Sequence, residues 1–385
     1  MLLCLGKSFR SSLAGARHEA IVRGVRRFAR EAGIVQGDGM ISMAVIGCGE
    51  WGPNHIRNFQ SQPGARVLAA VDLDPKRLQR IRDLFPAVEC SSDADRVLAD
   101  PAIQAVVVAT PVQTHHSLVK KALRAGKHVL CEKPLCESVA QARELIELAQ
   151  ARGLVLMVGH VFLFNPGIMK IKEILESGAL GNLHYLHAIR TNLGPIRRDC
   201  NAAFDLATHD ISIFNWLVGS EPVEVSATGG CFLQPGIEDV VSISLKYPGQ
   251  VFASIQASWL NPKKVRQITV VGSKQMVTWD DLQLSSPVAC YDKGANSNTH
   301  YDDFGEFLRI STWDGDVKLP KVHAEEPLKL QARYFLEAIA KGAAEKSGGE
   351  SALGVVSVLE AAARSLRESG RAVPVESVRA VLVQT

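Results

Sequence analysis

The sequence predicts an α/β domain with a doubly wound parallel sheet, followed by an α+β domain whose mostly antiparallel sheet is open on one face. Two observations predict this fold class. Between residues 42 and 160, short and continuously apolar runs alternate with helical periods, a pattern typical of parallel strands covered on both faces. Beyond residue 162, longer runs alternate apolar and polar residues, which is typical of a sheet covered on one face.

Each element of the first domain has its own signal. The strands are the apolar runs SMAVIG, RVLAAVD, AIQAVVVAT, HVLCEK and LVLMVG. Helices occupy the segments between them, because apolar residues there recur at helical spacing, as Leu78, Ile81 and Leu84 do. In the helix SVAQARELIELAQARG, Ser138 is a typical N-cap and Gly153 a typical C-terminal residue.

The second domain begins with the helix PGIMKIKEILESG, the strand LHYLHAIRTNLG and the helix DLATHDISIFNWLVG. Three strand segments follow, EVSATGGCF, VVSISLKYPGQVFASIQASWL and RQITVVGSKQMVTWDD, and two amphipathic helices end the chain. Trp259, Phe252 and many Val and Ile residues would leave an apolar outer sheet face. A second copy of the chain is its expected cover, which predicts a homo-oligomer, either a dimer or a tetramer.

Length and charge set the domain organisation. The chain has 385 residues, which at roughly 150 residues per domain suggests two domains. We place the first at residues 41–161 and the second, a substrate-binding and oligomerisation domain, at 162–385. Residues 1–40 form a basic leader with seven Lys and Arg against three Asp and Glu, whereas the rest carries 36 against 37.

The leader has three open explanations: an organelle transit peptide, an appended helix, or translation from a start upstream of Met40 or Met43. We favour the upstream start. The near-neutral body argues against a nucleic-acid partner, and no apolar run reaches the ~20 residues that span a bilayer. The eight cysteines lack metal-site or secreted-scaffold spacing, so we expect free thiols, a cytoplasmic location and no metal.

A glycine motif points to a dinucleotide. Gly47, Gly49 and Gly52 have GxGxxG spacing after a strand and before a helix, and Asp72 ends the next strand. This context is typical of a Rossmann domain, in which the backbone and the helix N-terminus bind the pyrophosphate. An acidic residue at position 72 would accept hydrogen bonds from the ribose hydroxyls and repel a 2′-phosphate, which favours NAD over NADP. We interpret Lys76 and Arg77 as a solvated helix face.

Polar residues follow two neighbouring apolar strands, in ATPVQTHH and CEKP. In an open parallel sheet the carboxyl ends of the strands border the ligand crevice. Glu132 and Lys133 are therefore expected to project into that crevice, and Pro134 favours an extended conformation of Lys133.

Together with GKHVLCEKPL and the later Asp-x3-His of DLATHD, these motifs resemble the glucose-fructose oxidoreductase and inositol dehydrogenase family (Gfo/Idh/MocA), from residue 42 almost to the C-terminus. The resemblance implies that Lys133, Asp205 and His209 are catalytic and lie beside the nicotinamide. Val112 stands where asparagine is common in the family. The implied cofactor contacts are Gly47, Gly49, Glu50, Trp51, Gly52, Asp72, Thr110, Pro111, His115, Glu132 and Lys133.

Asp205 and His209 are spaced to share one helix face, and a histidine in a first helical turn is kept neutral by the helix dipole. Neutral imidazole can accept a proton. We expect His209 to accept the hydroxyl proton while Lys133 stabilises the alkoxide, although Lys133 could itself be the base. Without the resemblance, Asp205 would be interpreted as an N-cap and His209 as a structural histidine.

Further segments, NPGIMKIKEILESGALGNLHYLHAIRTNLGPIRRD among them, resemble the UDP-N-acetylglucosaminuronate 3-dehydrogenases and related nucleotide-sugar oxidoreductases. The resemblance implies oxidation at C3 of a UDP-linked sugar and therefore cations at the cleft. The alternatives are a free polyol, inositol or other nucleotide-linked sugar as substrate, or a catalytically silent NAD-binding regulator. Candidate substrate contacts are Asn165, Arg190, Asn192, Arg198 and His209, with Arg197, Lys263, Lys264 and Arg266 as further cations.

Overall fold

The computed structural model describes residues 39–297 and 310–378. Nearly all of the leader predicted at residues 1–40 lies outside the described residues, so the choice among its three explanations stays open. Within the described ranges, no helix is long and apolar enough to cross a membrane.

Six parallel strands form the first sheet, in the order β3-β2-β1-β4-β5-β6, which confirms the predicted doubly wound sheet. The order reverses direction between β1 and β4, and this switch point places a crevice outside their carboxyl ends. The strands are β1 (Ile41–Ile46), β2 (Ala65–Val71), β3 (Glu89–Ser91), β4 (Ala105–Val108), β5 (His128–Cys131) and β6 (Leu156–Val158).

Helices cover both faces of this sheet, as the unbroken apolar strands predicted. Every residue of β1 and β4 is buried, because neither face of these two strands meets water. The helices are α1 (Gly52–Gln60), α2 (Pro75–Leu84), α3 (Ala94–Ala99), α4 (Val112–Arg124) and α5 (Val139–Ala151).

Nine strands form the second sheet, in the order β14-β13-β12-β11-β7-β10-β9-β8-β15. All neighbours pair antiparallel except β7 and β10, which are parallel. The strands are β7 (Leu183–Thr191), β8 (Glu224–Gly230), β9 (Val240–Lys246), β10 (Phe252–Ser258), β11 (Val265–Gly272), β12 (Met276–Asp280), β13 (Val288–Ser297), β14 (Ile310–Lys318) and β15 (Val373–Pro374). The hairpin β13–β14 was not predicted, since its Asp, Lys and Gly residues are depleted in strands.

The apolar residues of this sheet point towards helices, not towards the open face. In β9, Val241, Ile243 and Leu245 are buried while the serines between them are exposed. Trp259 is only 2% exposed, so its expected place on the open face was wrong. Phe252 and Tyr185 do lie on that face and are opposite each other in the β7–β10 register. The helices on the covered side are α6 (Pro166–Glu176), α7 (Thr208–Val218) and α9 (Gly349–Arg367), whereas α8 (Pro327–Lys341) packs against α1 of the first domain.

Helix α9 packs on both sheets. Its residues Ala352, Leu353 and Val356 belong to the apolar core of the first sheet. Just before it, the hydroxyl of Ser347 donates to the carbonyl oxygen of Val158 at 2.7 Å, which ties the turn to the end of β6. The sequence assigned this helix to the second domain, but its packing joins the two domains.

Candidate active site

The three glycines of the loop after β1 have three different environments. A Cβ on Gly47, whose φ is 99°, would collide with the carbonyl oxygen of Ala109, and a Cβ on Gly52 would collide with that of Gly47. At Gly49 the nearest atom to such a Cβ is Nη1 of Arg77, 3.8 Å away. Gly47 and Gly52 therefore allow close packing, and Gly49 leaves the backbone open for the pyrophosphate of a dinucleotide.

Asp72 is held in place by the same loop. Its carboxylate accepts hydrogen bonds from the backbone N–H of Cys48 at 2.7 Å and of Asp74 at 2.8 Å. Arg77 was expected on a solvated helix face, and its side chain is half exposed. It nevertheless lies within ion-pair distance of Asp72, at 3.5 Å, and of Asp74, at 3.6 Å. This arginine is thus beside the position that the adenosine ribose would occupy.

A cleft of about 690 Å³ lies at the carboxyl ends of β4 and β5 and against the second sheet. We call it the catalytic cleft. Thirteen of the residues proposed from the sequence line it: Glu50, Trp51, Thr110, Pro111, Glu132, Lys133, Arg190, Asn192, Arg197, Asp205, His209, Lys264 and Arg266.

Lys133 joins the two halves of the chain at this cleft. Its Nζ donates to the backbone oxygen of Asp205 at 2.6 Å and lies 3.4 Å from the Oδ1 atom of the same residue. The peptide bond to Pro134 is cis. Only 12% of the lysine side chain is exposed, so its ammonium is aimed at the cleft with little freedom to leave it.

Asp205 contacts several side chains of the cleft and does not act as an N-cap. Its Oδ2 accepts a hydrogen bond from Trp259 Nε1 at 3.1 Å, and Arg197 Nη1 lies 3.4 Å from its Oδ1. The residue lies in a π-helical turn, Ala203–Ala207, that leads directly into α7. A wider turn of this kind is frequent at functional sites.

His209 is half-buried at the cleft wall and packs edge-on against Phe162, with ring centroids 4.9 Å apart. Burial lowers its pKa well below the ordinary value, and the positive charges of Lys133 and Arg190 lower it further. The sequence predicted a neutral His209 from the dipole of a helix N-terminus. In the structure a π-helical turn precedes α7, so His209 does not lie at a free helix N-terminus, and burial is the larger reason for its lowered pKa.

Glu132 has a partner that the sequence did not reveal. Its Oε1 lies 2.8 Å from Nε2 of His55, a buried residue of α1. Although burial opposes ionisation, the hydrogen bond with His55 and the charge of Lys133 lower the pKa of Glu132. The only feature of the sequence that could have indicated this pair is a polar residue, His55, on the buried face of a helix.

Most of the cations in the catalytic cleft already have carboxylate partners. Arg190 binds Asp210 through two hydrogen bonds of 2.8 Å, so that edge of its guanidinium is not available to a phosphate. Arg197 pairs with Asp199 and Arg266 with Asp281, each at 2.5 Å. Lys264 lines the cleft and, within the described ranges, is its one cation without an ion pair.

Apart from the glycine loop, Asp72 and Lys263, three proposed contacts lie outside the cleft. Both ring nitrogens of buried His115 lie within hydrogen-bond distance of backbone oxygens, of Pro134 at 2.9 Å and Thr110 at 2.8 Å, and the neutral ring donates to one of them; the residue thus lies between the ends of β4 and β5, and its cofactor contact stays a prediction. Asn165 caps α6, donates to Asp281 and lines a neighbouring cavity, so its sugar contact stays a prediction. Arg198 is exposed and does not line the cleft.

A second cavity of about 450 Å³ adjoins the catalytic cleft. We call it the side chamber. It shares Trp51, Val161, Phe162 and Arg266 with the cleft, and its walls are largely apolar and aromatic. Sequence patterns gave no indication of it, because its walls come from segments far apart in the chain.

Comparisons with known proteins agree with this architecture. Residues 41–160 match the NAD-binding Rossmann-fold model of the Gfo/Idh/MocA oxidoreductase family, and residues 168–278 match that family's C-terminal domain. The inositol 2-dehydrogenase of Rhizobium meliloti (strain 1021) is 26% identical over an alignment of 348 residues, which covers 85% of this chain and 97% of that protein.

Two solved structures extend the comparison. GenD2 from gentamicin A biosynthesis, in complex with NAD, has a TM-score of 0.74 at 25% identity and covers 89% of this chain and 98% of its own. UDP-N-acetylglucosamine 3-dehydrogenase GnnA from Acidithiobacillus ferrooxidans has a TM-score of 0.71 at 22% identity, with 86% and 99% covered, and this likeness shows the fold alone. The chain therefore belongs to the Gfo/Idh/MocA family and is an NAD-binding oxidoreductase.

Proposed function

We propose that this protein oxidises a secondary hydroxyl of a sugar to a ketone. The proposal rests on one observation. Lys133 and His209 come from different domains, and their ammonium and imidazole groups line one cleft at the carboxyl edge of the first sheet. When bound, NAD supplies the hydride acceptor, C4 of its nicotinamide. The open backbone at Gly49 fits the pyrophosphate of that cofactor.

The residues divide the proton chemistry between them. His209 is neutral at physiological pH because its pKa is depressed, so it can accept the hydroxyl proton. Lys133 points its N–H donors at the cleft and stabilises the developing alkoxide, and Asp205 holds it there. Both residues stand in place before substrate binds, which favours an enzyme over a silent NAD-binding regulator.

We further propose a nucleotide-linked substrate, oxidised at C3 of a UDP-linked N-acetylhexosaminuronate. The side chamber supports a group beyond the reacting ring, since its aromatic walls suit a flat base and Lys264 is available to an anion. The paired arginines favour the alternative, a free polyol or inositol, because they leave few cations for a diphosphate. A cytoplasmic location stays a prediction, supported by the free thiols of the described cysteines.

A substrate panel tests this proposal. The purified protein is incubated with NAD and, separately, with UDP-sugars, myo-inositol and free hexoses, and NADH is followed by its absorbance. Tightly bound NADH is measured after denaturation, so that slow cofactor release is not mistaken for inactivity. Turnover of a UDP-sugar alone supports the nucleotide-linked substrate, turnover of inositol alone supports the alternative, and no NADH with any of them rejects the dehydrogenase.

Cofactor choice has its own test. We propose NAD over NADP because Asp72 presents a carboxylate beside the loop, with Arg77 as a nearby cation. Asp72→Asn removes the negative charge and keeps an oxygen for one of the two N–H groups, of Cys48 and Asp74, that the carboxylate accepts from. The Kd ratio for NADP against NAD, measured by fluorescence titration, should fall, and Asp74→Asn should leave it unchanged. An unchanged ratio in Asp72→Asn would remove Asp72 as the determinant.

A further inference from the structure

The aromatic ring of Phe162 belongs to the walls of both cavities and touches the proposed base. Phe162 lies in a short 3₁₀ turn, Val161–Phe164, that follows β6. Its ring packs edge-on against the imidazole of His209, with the centroids 4.9 Å apart and the ring planes at 69°. A second edge-on contact, with centroids 6.0 Å apart, joins it to the indole of Trp279. Phe162 is therefore in direct contact with the residue that would accept the substrate proton.

The imidazole of His209 has no hydrogen bond to any described residue that could orient it. Its Nδ1 is buried and without a partner there. In histidine bases the second ring nitrogen commonly bonds a carboxylate or a carbonyl oxygen, and that bond fixes the orientation of the ring. Packing has to fix the orientation of His209 instead. An edge-on aromatic contact can do so, because it prefers a defined angle between the two rings.

Two arginine side chains hold the ring of Phe162. Cζ of Arg190 lies over this ring at 4.4 Å from its centroid, and Cζ of Arg266 lies over it at 5.2 Å. A guanidinium in such a place is attracted by the negative face of the ring. Arg190 is fixed on Asp210 by two hydrogen bonds of 2.8 Å. Arg266 is fixed on Asp281. Phe162 is thus held by groups that have little freedom to move.

The strand register places these two arginines directly opposite each other. Arg190 of β7 pairs with Arg266 of β11 in the antiparallel register. Like charges at such a position repel each other, so the pair needs a compensating reason. A substrate anion is a weak reason, because both guanidinium groups already bond carboxylates and Arg190 is only 4% exposed. The shared contact with Phe162 accounts for both arginines at once.

We propose that Phe162 is a positioning residue that fixes the plane of the His209 imidazole, and that Arg190 and Arg266 hold the Phe162 ring for this purpose. Nε2 of His209 is not among the buried atoms without a partner, whereas Nδ1 is, so Nε2 is the ring nitrogen that meets the cleft. The contact with Phe162 keeps this nitrogen directed at the substrate hydroxyl. The inference rests on the proposed dehydrogenase function.

Kinetics of three variants test the role of Phe162. Phe162→Leu keeps an apolar side chain but removes the ring, and Phe162→Tyr restores the ring. Phe164→Leu is the matched control, because Phe164 lies in the same turn but packs against Tyr334, with centroids 5.2 Å apart. With the substrate that the panel identifies, Phe162→Leu should lower kcat at least about tenfold, change KM less, and leave the Kd of NAD unchanged. Phe162→Tyr and Phe164→Leu should both stay close to the wild-type kcat. An unchanged kcat in Phe162→Leu, or an equal loss in Phe164→Leu, would overturn the inference.

Combined substitutions test the role of the arginines. Arg266→Gln should lower kcat in the wild-type background and have no further effect in Phe162→Leu, because the ring that Arg266 holds is absent there. Equal fold losses in the two backgrounds would show that Arg266 acts independently of Phe162 and would overturn this part of the inference.

A measurement without turnover separates this inference from the proposed function. Crystal structures of Phe162→Leu and Phe164→Leu show the orientation of the His209 ring. The ring should adopt more than one orientation in Phe162→Leu and keep a single one in Phe164→Leu. A single, unchanged orientation in Phe162→Leu would overturn the inference even in an active enzyme. Several orientations in Phe162→Leu, together with a wild-type protein that oxidises nothing on the panel, would uphold the positioning of the ring and reject the dehydrogenase.

Discussion

Lys133 and Asp205 are 72 positions apart in the sequence and meet through a 2.6 Å hydrogen bond. The acceptor is the backbone oxygen of Asp205, and the carboxylate is the more distant partner at 3.4 Å. The main chain of the π-helical turn therefore orients the lysine. The carboxylate of Asp205 binds Trp259 and Arg197 instead. Asp205 thus positions both Lys133 and the part of the cleft wall that these two residues form.

The role of Lys133 gives the first prediction. Lys133→Met removes the N–H donors but keeps the length of the side chain, so turnover should fall by at least about 100-fold. Isothermal titration should show NAD binding close to that of wild type. Lys264→Met serves as the control and should change KM more than kcat, because this lysine lies at the exposed rim. Undiminished turnover in Lys133→Met would reject its catalytic role.

A pH profile tests the state of His209. The base must be neutral, and its pKa is lowered, so kcat/KM should stay constant as the pH falls through about 6.5, the ordinary histidine value, and decline only at lower pH. Arg266→Gln removes one of the nearby charges and should move the acid limb to higher pH. A limb at the ordinary value in the wild type would contradict the assignment.

At the scale of elements, the strands and helices of the first domain could be predicted because apolar periodicity is local. Pairings such as Glu132 with His55, which are 77 positions apart, could not, since they depend on which faces meet in three dimensions. The π-helical turn was also missed, because one widened turn leaves the apolar spacing of α7 unchanged. For the same reason the sequence indicated His209 as the base but attributed its lowered pKa to the helix dipole.

The glycine loop and α1 give an element-scale prediction. Gly49→Ala places its methyl group in open space, so the protein should keep its Tm while the Kd for NAD rises. Gly52→Ala forces its methyl group against the carbonyl of Gly47, so the free energy of unfolding should fall by about 1–3 kcal/mol. Thermal melts and NAD titrations of both variants check this. Equal effects of the two substitutions on both measurements would contradict it.

At the scale of the whole molecule, the outer face of the second sheet is mixed in character. The Val and Ile residues of the sheet face the helices. The apolar surface that the sequence predicted on the outer face is therefore limited to the neighbourhood of Phe252, 46% exposed, and Tyr185, 43% exposed. Lys246 of β9 lies opposite Phe252, and the exposed Ser242 and Ser244 follow on the same face of the sheet. Such a face is closer to the polar interfaces of subunits that fold separately than to a divided hydrophobic core.

The homo-oligomer stays a prediction, and this face is where it can be tested. Phe252→Lys puts a charge at the centre of the apolar pair, so light scattering after gel filtration should report a smaller assembly than for the wild type. Leu284→Lys, at an exposed residue of the side chamber, is the control and should not alter the mass. A wild-type monomer, or an assembly unaffected by Phe252→Lys, would remove this face as the interface.

The packing of α9 on the first sheet decides which segments of the chain are needed for an isolated dinucleotide-binding domain. The nucleotide-binding part is contiguous in sequence only up to β6, and the last wall of its core arrives from residues beyond 348. A gene fragment that ends after β6 would carry a bare apolar surface around Leu145 and Ile146. The dinucleotide-binding domain therefore includes α9. A fusion protein that uses this domain must contain α9 as well, or another apolar helix that covers the same surface.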